Sequence, residues 1–276
     1  MNWLSAFFFH RPHVRIPGVL QRIAVCFLLA ALVHLLLGRR AVLPVAGVLL
    51  LGYWLAMTGI EAPGYGRGRL DVEGNLAAYM DRLVLGEHTW KRDPGWDPEG
   101  ILSTVPALAT TLFGVVAGAW LATPAPLERK VRKLILSGWI AAGAGLLWNE
   151  TFPINKNLWT SSYALFMAGL AAASLAVCLW AVDDRGWKRW ARPFEWLGRN
   201  ALAVFILSTF VTILLLAIRL RGPEGRPRSL YAAIYRTVFD RFADPRLGSL
   251  LFAVACLVAW IAIAGILYRK RIFIKV

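Results

Sequence analysis

The chain has 276 residues, 58% of them hydrophobic and 17% charged, with a formal net charge of +15. Apolar blocks recur from end to end at the length that crosses a hydrocarbon core as a helix, about 20 residues, and this excludes an ordinary soluble domain. The basic residues lie in short loops between those blocks, not in a compact basic domain; this excludes nucleic acid as a partner and assigns them to topology and to anionic lipid.

Seven spans are predicted, at 17–37, 41–60, 101–122, 134–152, 160–182, 196–218 and 248–268. The fold class is therefore all-α: a polytopic membrane helix bundle of about seven transmembrane helices, read as one domain over residues 1–276. Cys26, Cys178 and Cys256 fall inside apolar blocks without a short spacing, so they read as buried small hydrophobes and not as a disulfide or zinc framework. The opening "MNWLSAFFFHRPHVR" has neither a basic n-region nor a small-residue cleavage site.

Loop charges predict orientation. Arg39 and Arg40 lie between the first two spans, and Arg129, Lys130, Arg132 and Lys133 between the third and fourth. Arg185, Lys188, Arg189 and Arg192 lie between the fifth and sixth, and Arg269, Lys270, Arg271 and Lys275 follow the seventh. These loops alternate, so all can be cytoplasmic, together with the C-terminus. The integral membrane protein is expected in a bacterial inner membrane. The opposite side receives the N-terminal stub, 61–100, 153–159 and 219–247. The second of these has eight acidic residues against five Lys or Arg, which suits the outside; 219–247 has seven Arg against three acids and departs from the rule. Both long outer segments contain an amphipathic stretch. Leu76, Tyr79, Met80, Leu83 and Val84 share one helical face, as do Tyr231, Ile234, Tyr235, Val238, Phe239 and Phe242. Each reads as a helix on the membrane surface or on the bundle, or as a lid over an outward cavity.

Polar groups at membrane depth are costly and mark candidate sites. Four stretches carry them. In "RIPGVLQRIAV", residues 15–25, Gln21 and Arg22 lie about one turn into the span, either snorkelling to headgroups or lining a polar cavity. In "GWDPEGILSTVPAL", residues 95–108, Asp97 fits an N-cap, Pro98 the first helical position and Glu99 the first turn; Glu99 can also face substrate. "FPINKNLWTSSYALF", residues 152–166, puts Asn155, Lys156, Trp159, Ser161 and Tyr163 around the entry to a span, as an outer turn or as a substrate wall. In "EWLGRNALAVF", residues 195–205, Arg199 can snorkel, while Asn200 needs a partner. His10, His13, His34 and His88 have no carboxylate at a revealing spacing, and no phosphate loop, HExxH or nucleophile elbow occurs.

Together "RIPGVLQRIAV", "AYMDRLVLGEH…DPEGILST", "PINKNLWTSSY" and the terminal "LYRKRIFIKV" resemble the heparan-α-glucosaminide N-acetyltransferase family and its uncharacterised bacterial relatives with the DUF5009 label. The motifs occur in family order from about residue 15 to the last residue. The resemblance implies a transmembrane acyltransferase that takes acetyl-CoA from the cytoplasm as co-substrate and acetylates an amino sugar or glycan on the far side, with no covalently bound cofactor and no metal. Asp97, Glu99, Asn155, Lys156, Asn157, Trp159, Ser161, Tyr163, Gly198 and Asn200 match family positions, whereas Arg199 departs from the commoner residue. Gln21, Arg22, Asp97, Glu99, Asn155, Lys156, Trp159, Ser161 and Tyr163 are the substrate-binding candidates. Asn200 and Arg199 are the candidates for holding the coenzyme A end. Family members have further N-terminal helices that carry the catalytic histidine, which has no counterpart here, so no catalytic residue is assigned. Truncation, a misassigned start, a complementing partner and lost activity all fit that departure. A transporter or flippase of a polar solute and a non-catalytic membrane protein are the alternative functions. Homo-oligomerisation is left open.

Overall fold

The computed structural model describes residues 14–90, 95–221, 227–240 and 244–274. Two compact units divide the chain: Arg15–Gly186, and a second built on Trp187–Val276. In the first, α1 (Val19–Leu37) leads through a 3₁₀ turn (Arg39–Ala41) to α2 (Val42–Gly59). A small antiparallel hairpin, β1 (Glu61–Ala62) and β2 (Gly66–Arg67), precedes the short α3 (Leu76–Leu85). Then come α4 (Thr104–Leu121), α5 (Leu127–Trp148) and α6 (Ser161–Leu179), which runs on into a π turn (Trp180–Asp184).

Small residues bring α5 and α6 backbone to backbone. A Cβ built on Gly138 would lie 2.8 Å from the Ala173 nitrogen, and one on Gly145 would lie 2.6 Å from the Phe166 nitrogen. Within lipid, where apolar side chains gain little by leaving the solvent, such close approach is a main source of helix association. The core beside this seam is built from Cys26, Ala30, Val42, Ala46, Leu50, Leu108, Leu112 and Ala164. Nearer one end of the bundle Tyr53, Met57, Leu76, Phe152 and Leu158 form a second cluster. The outward faces remain apolar; Leu35 and Leu36 are each 76% exposed, as lipid-facing side chains would be.

The second unit contains α7 (Arg192–Arg199), α8 (Ala201–Ala217), an antiparallel hairpin of β3 (Arg219–Arg221) and β4 (Pro227–Ser229), α9 (Leu230–Val238) and α10 (Pro245–Arg269). Asp244 caps α10 by accepting the Arg246 N–H, and Pro245 takes the first helical position. Tyr231, Tyr235 and Phe239 pack around Phe252 with ring centroids 5.2–5.5 Å apart. That aromatic face is therefore used within the unit.

Among the described residues six helical segments are long and apolar enough to cross a membrane, and α7 with α8 makes a seventh only as a pair bent by 79°. The all-α polytopic bundle holds, with the two hairpins as its only described strands. Three details differ from expectation. The predicted span 196–218 breaks at Asn200, and the span predicted at 134–152 runs from Leu127 to Trp148. Cys178 and Cys256 are exposed on the apolar surface; only Cys26 is buried. Of the settings open to the α3 stripe, Leu83 and Val84 take the outward one, while Leu76, Ala77, Ala78 and Asp81 are buried. His10, His13, Asp93, Arg226, Arg241, Phe242 and Lys275 lie outside the described residues.

Candidate functional site

Chain direction alternates through the first unit, so α1, α4 and α6 begin at the end where α2 and α5 finish. The polar groups of three predicted stretches meet there. Residues 97–103 do not start a helix at Asp97, as the capping pattern suggests. They form a run of turns, and α4 begins at Thr104 after Ser103. Asp97 still accepts the Glu99 N–H at 2.9 Å, as a cap would, but an ion pair occupies the rest of its carboxylate. Arg15 grips it through Nε at 2.7 Å and Nη2 at 2.5 Å, and the Trp90 N–H donates at 2.8 Å. Four donors thus fill a carboxylate that has no exposed surface. Arg15 also pairs with Glu99. Burial disfavours the Arg15 charge, yet these two carboxylates outweigh it and raise its pKa above the ordinary value.

Arg22, one turn inside α1, is 8% exposed. Its Nη2 donates to the Pro98 carbonyl at 2.8 Å, to Ser103 Oγ at 2.5 Å and more weakly to the Gly100 carbonyl at 3.4 Å. Gln21, its neighbour in sequence, lies on the exposed side of the same helix. Asp81 reaches the turn from α3 and accepts the Ile101 N–H at 3.0 Å. It packs so closely on Gly100 that a Cβ there would overlap its carboxylate. At 1% exposure, burial pushes the Asp81 carboxyl up to about 6; the Ile101 and Asp97 N–H groups moderate the rise, the Asp97 charge adds to it and Arg22 opposes it.

Residues 153–163 divide into two sets. Thr160 Oγ1 donates to the Pro153 carbonyl at 2.9 Å and accepts the Asn155 N–H at 3.0 Å. Asn155 Oδ1 accepts the Asn157 and Leu158 N–H groups, an Asx-type closure of the turn. Ser161 is fully buried and donates to the Leu50 carbonyl at 2.7 Å, tying α6 to α2. These groups hold the turn. Trp159, Tyr163 and Lys156 keep free surface. The Trp159 ring stands 5.3 Å from the Arg22 guanidinium and meets Tyr163 edge-on at 5.4 Å; its Nε1–H donates to Thr110 Oγ1 at 3.2 Å. Trp159 has φ 52°, a left-handed conformation that is rare for a bulky residue and costs roughly 1–3 kcal/mol. Two ring contacts and a hydrogen bond hold it there.

Arg199 and Asn200 belong to the other unit. Asn200 is buried and pairs with the C-terminal segment, donating to the Ile272 carbonyl at 3.2 Å and accepting the Ile274 N–H at 3.0 Å. Arg199 is exposed, 3.3 Å from Glu195 and above the rings of Tyr268 and Phe273. The structure thus brings Arg22, Asp97, Glu99 and Trp159 together, sets Gln21 apart and gives Asn155 and Ser161 to the turn. Arg15, Asp81, Ser103 and Thr110 join the cluster without having been singled out as site residues. The signal for Arg15 is its position in the first polar stretch, two residues before Pro17.

The family model for DUF418, a protein of unknown function, matches residues 115–271. Its label differs from the DUF5009 label attached to the resemblance. Heparan-alpha-glucosaminide N-acetyltransferase of Homo sapiens is 28% identical over 315 residues, covering 95% of this chain and 44% of the relative. The Mus musculus protein of that name is 27% identical over 316 residues, covering 95% and 45%. The chain spans less than half the length of these curated relatives.

Proposed function

The chain belongs to the DUF418 family, and from that premise we propose that it acts as a membrane-embedded acetyltransferase. It would transfer the acetyl group of acetyl-CoA to the amino group of a sugar or glycan. The observation that carries this reading is the alignment of 95% of the chain with proteins named as N-acetyltransferases. The buried polar cluster where α1, α4 and α6 begin supports it, because ionic and hydrogen-bonding groups at membrane depth are kept for a purpose. In the reaction the amine nitrogen attacks the thioester carbonyl, the C–S bond breaks, the amine loses a proton and coenzyme A leaves as the thiol. A base and donors for the tetrahedral oxyanion are required. The sugar would meet the end that displays Trp159, Tyr163 and Lys156; the donor would approach from the basic, cytoplasmic side.

The test is acetyl transfer from labelled acetyl-CoA to glucosamine by the chain in lipid nanodiscs, with N-acetylated product and free thiol measured together. Acceptor-dependent thiol release is expected. A cooperatively melting preparation that yields neither product overturns the reading. The 79° break at Asn200 favours a second reading, since discontinuous helices serve solute passage in transporters. Uptake of the sugar into proteoliposomes without acetylation would select it.

A further inference from the structure

Two positive features coincide where α4 begins. The 18-residue helix presents the positive end of its aligned peptide dipoles there. The Arg22 guanidinium stands at the same place, held through Nη2 by Ser103 and Pro98. Its Nε and Nη1 nitrogens are buried and, among the described residues, have no hydrogen-bond partner. A buried guanidinium normally sits against a carboxylate, because an uncompensated buried charge is strongly destabilising.

Three carboxylates lie close by, and none forms an ion pair with Arg22. Asp97 has its acceptor positions filled by Arg15, Trp90 and Glu99, and Glu99 pairs with Arg15. Asp81 is on the far side of a peptide unit. The Gly100 carbonyl accepts from Arg22 while the Ile101 N–H of the same unit donates to Asp81. In a trans peptide those two groups point in opposite directions, so the peptide separates the charges. The Trp159 ring offers Arg22 a π face but no acceptor atom.

We propose that Arg22 and the N-terminal end of α4 form a binding site for an oxyanion, a carboxylate or phosphate oxygen that accepts from an unused guanidinium donor, Nε–H or Nη1–H, which lie on different edges of the group. Inside protein, such charge-assisted bonds are stronger than in water. The anion can be part of a soluble ligand or of a lipid headgroup. The site is a matter of binding and does not rest on acetyl transfer.

The test uses the full chain in phosphatidylcholine nanodiscs, titrated calorimetrically with pyrophosphate and acetate. A parallel preparation contains phosphatidylglycerol. Hydrogen–deuterium exchange is followed in peptides covering 97–105 and 129–135. A saturable anion site is expected, with slowed exchange in 97–105 and none in 129–135. Binding of a soluble anion in phosphatidylcholine identifies a soluble ligand; slowing that needs phosphatidylglycerol identifies a headgroup. Arg22→Lys should weaken binding about 10- to 100-fold, because a compact ammonium cannot keep the Ser103 and Pro98 bonds and also present a donor where the guanidinium does, while Arg39→Gln should bind like the parent. The proposal is overturned if no anion or lipid slows exchange in 97–105, or if Arg22→Lys melts normally and binds like the parent. Should that variant fail to fold, the exchange result on the unaltered protein decides.

Discussion

At the C-terminal end of α4, cations meet what a helix end offers them. Arg39 donates to the Ala119 carbonyl at 3.0 Å, Lys130 donates to Leu121 at 2.7 Å, and Lys133 lies 3.9 Å above the Trp120 ring. Negative dipole end and positive side chains agree, and a cleft of about 170 Å³ lined by Arg39, Trp120 and Lys133 opens beside them. At the N-terminal end Arg22 opposes the dipole, is buried and keeps donors without partners. One helix therefore carries, at its two ends, a cation arrangement complete in itself and one that calls for a further group. Basic residues at a membrane edge are common; a buried cation whose donors lack acceptors marks a site.

The comparison breaks most directly at Asp97. If the site end is a preformed ionic frame, Asp97→Ala removes the bidentate partner of Arg15, leaving it Glu99, and takes the acceptor from the Trp90 and Glu99 N–H groups. The loss should be about 3–5 kcal/mol, measured by denaturant unfolding of the detergent-purified protein. Loss of only a few tenths would mean that the frame is surface decoration, no different from the basic end.

Asp81 sharpens the comparison through pH. Its folded pKa, about 6, lies above the ordinary 3.8, so the folded protein holds that proton more tightly than the unfolded chain does. Stability then falls as pH rises from about 4 to 6, and the full penalty stands above that window. Asp81→Asn keeps an acceptor for the Ile101 N–H and removes the charge. It should gain up to roughly 3 kcal/mol at pH 8 and nothing near pH 3, as followed by melting temperature against pH. A flat difference between the two proteins across that range would refute the buried-carboxylate assignment.

How much of this was legible beforehand depends on where each residue's partner lies. Span length and hydropathy depend on the local chain, so the six long helices could be read directly. The Asn200 break could not: the amide pairs with Ile272 and Ile274, more than seventy residues away. The apolar stripe of α3 left open whether Leu83 and Val84 lie on the bundle or on the membrane surface. Where the surroundings are lipid or its interface, apolar groups turn outward and Ala77, Ala78 and Asp81 turn in. Polar character alone drew attention equally to Ser161 and Trp159. Only their contacts separate them, one tied to Leu50 and the other over Arg22.

Ser161 provides the next smaller test. If it is a stitch between α6 and α2, Ser161→Ala should lose about 1 kcal/mol of stability while leaving the Michaelis constant for a sugar acceptor unchanged. A raised Michaelis constant at full stability would return this hydroxyl to the substrate wall.

The smallest effect belongs to the basic end. Arg39 is exposed and its partner is a helix-end carbonyl, so water and salt can replace either. Arg39→Gln retains a donor that can reach Ala119 and removes only the charge–dipole attraction, worth about 0.3–1 kcal/mol at low salt. That difference should vanish at molar salt, where the screening length shrinks to about 3 Å. The Asp97 loss should survive the same salt, because its ion pair is shielded from solvent. Equal salt sensitivity of the two variants would remove the distinction between the ends of α4; a salt-sensitive Arg39 beside a salt-insensitive Asp97 would locate that distinction in burial, where the unpartnered donors of Arg22 also reside.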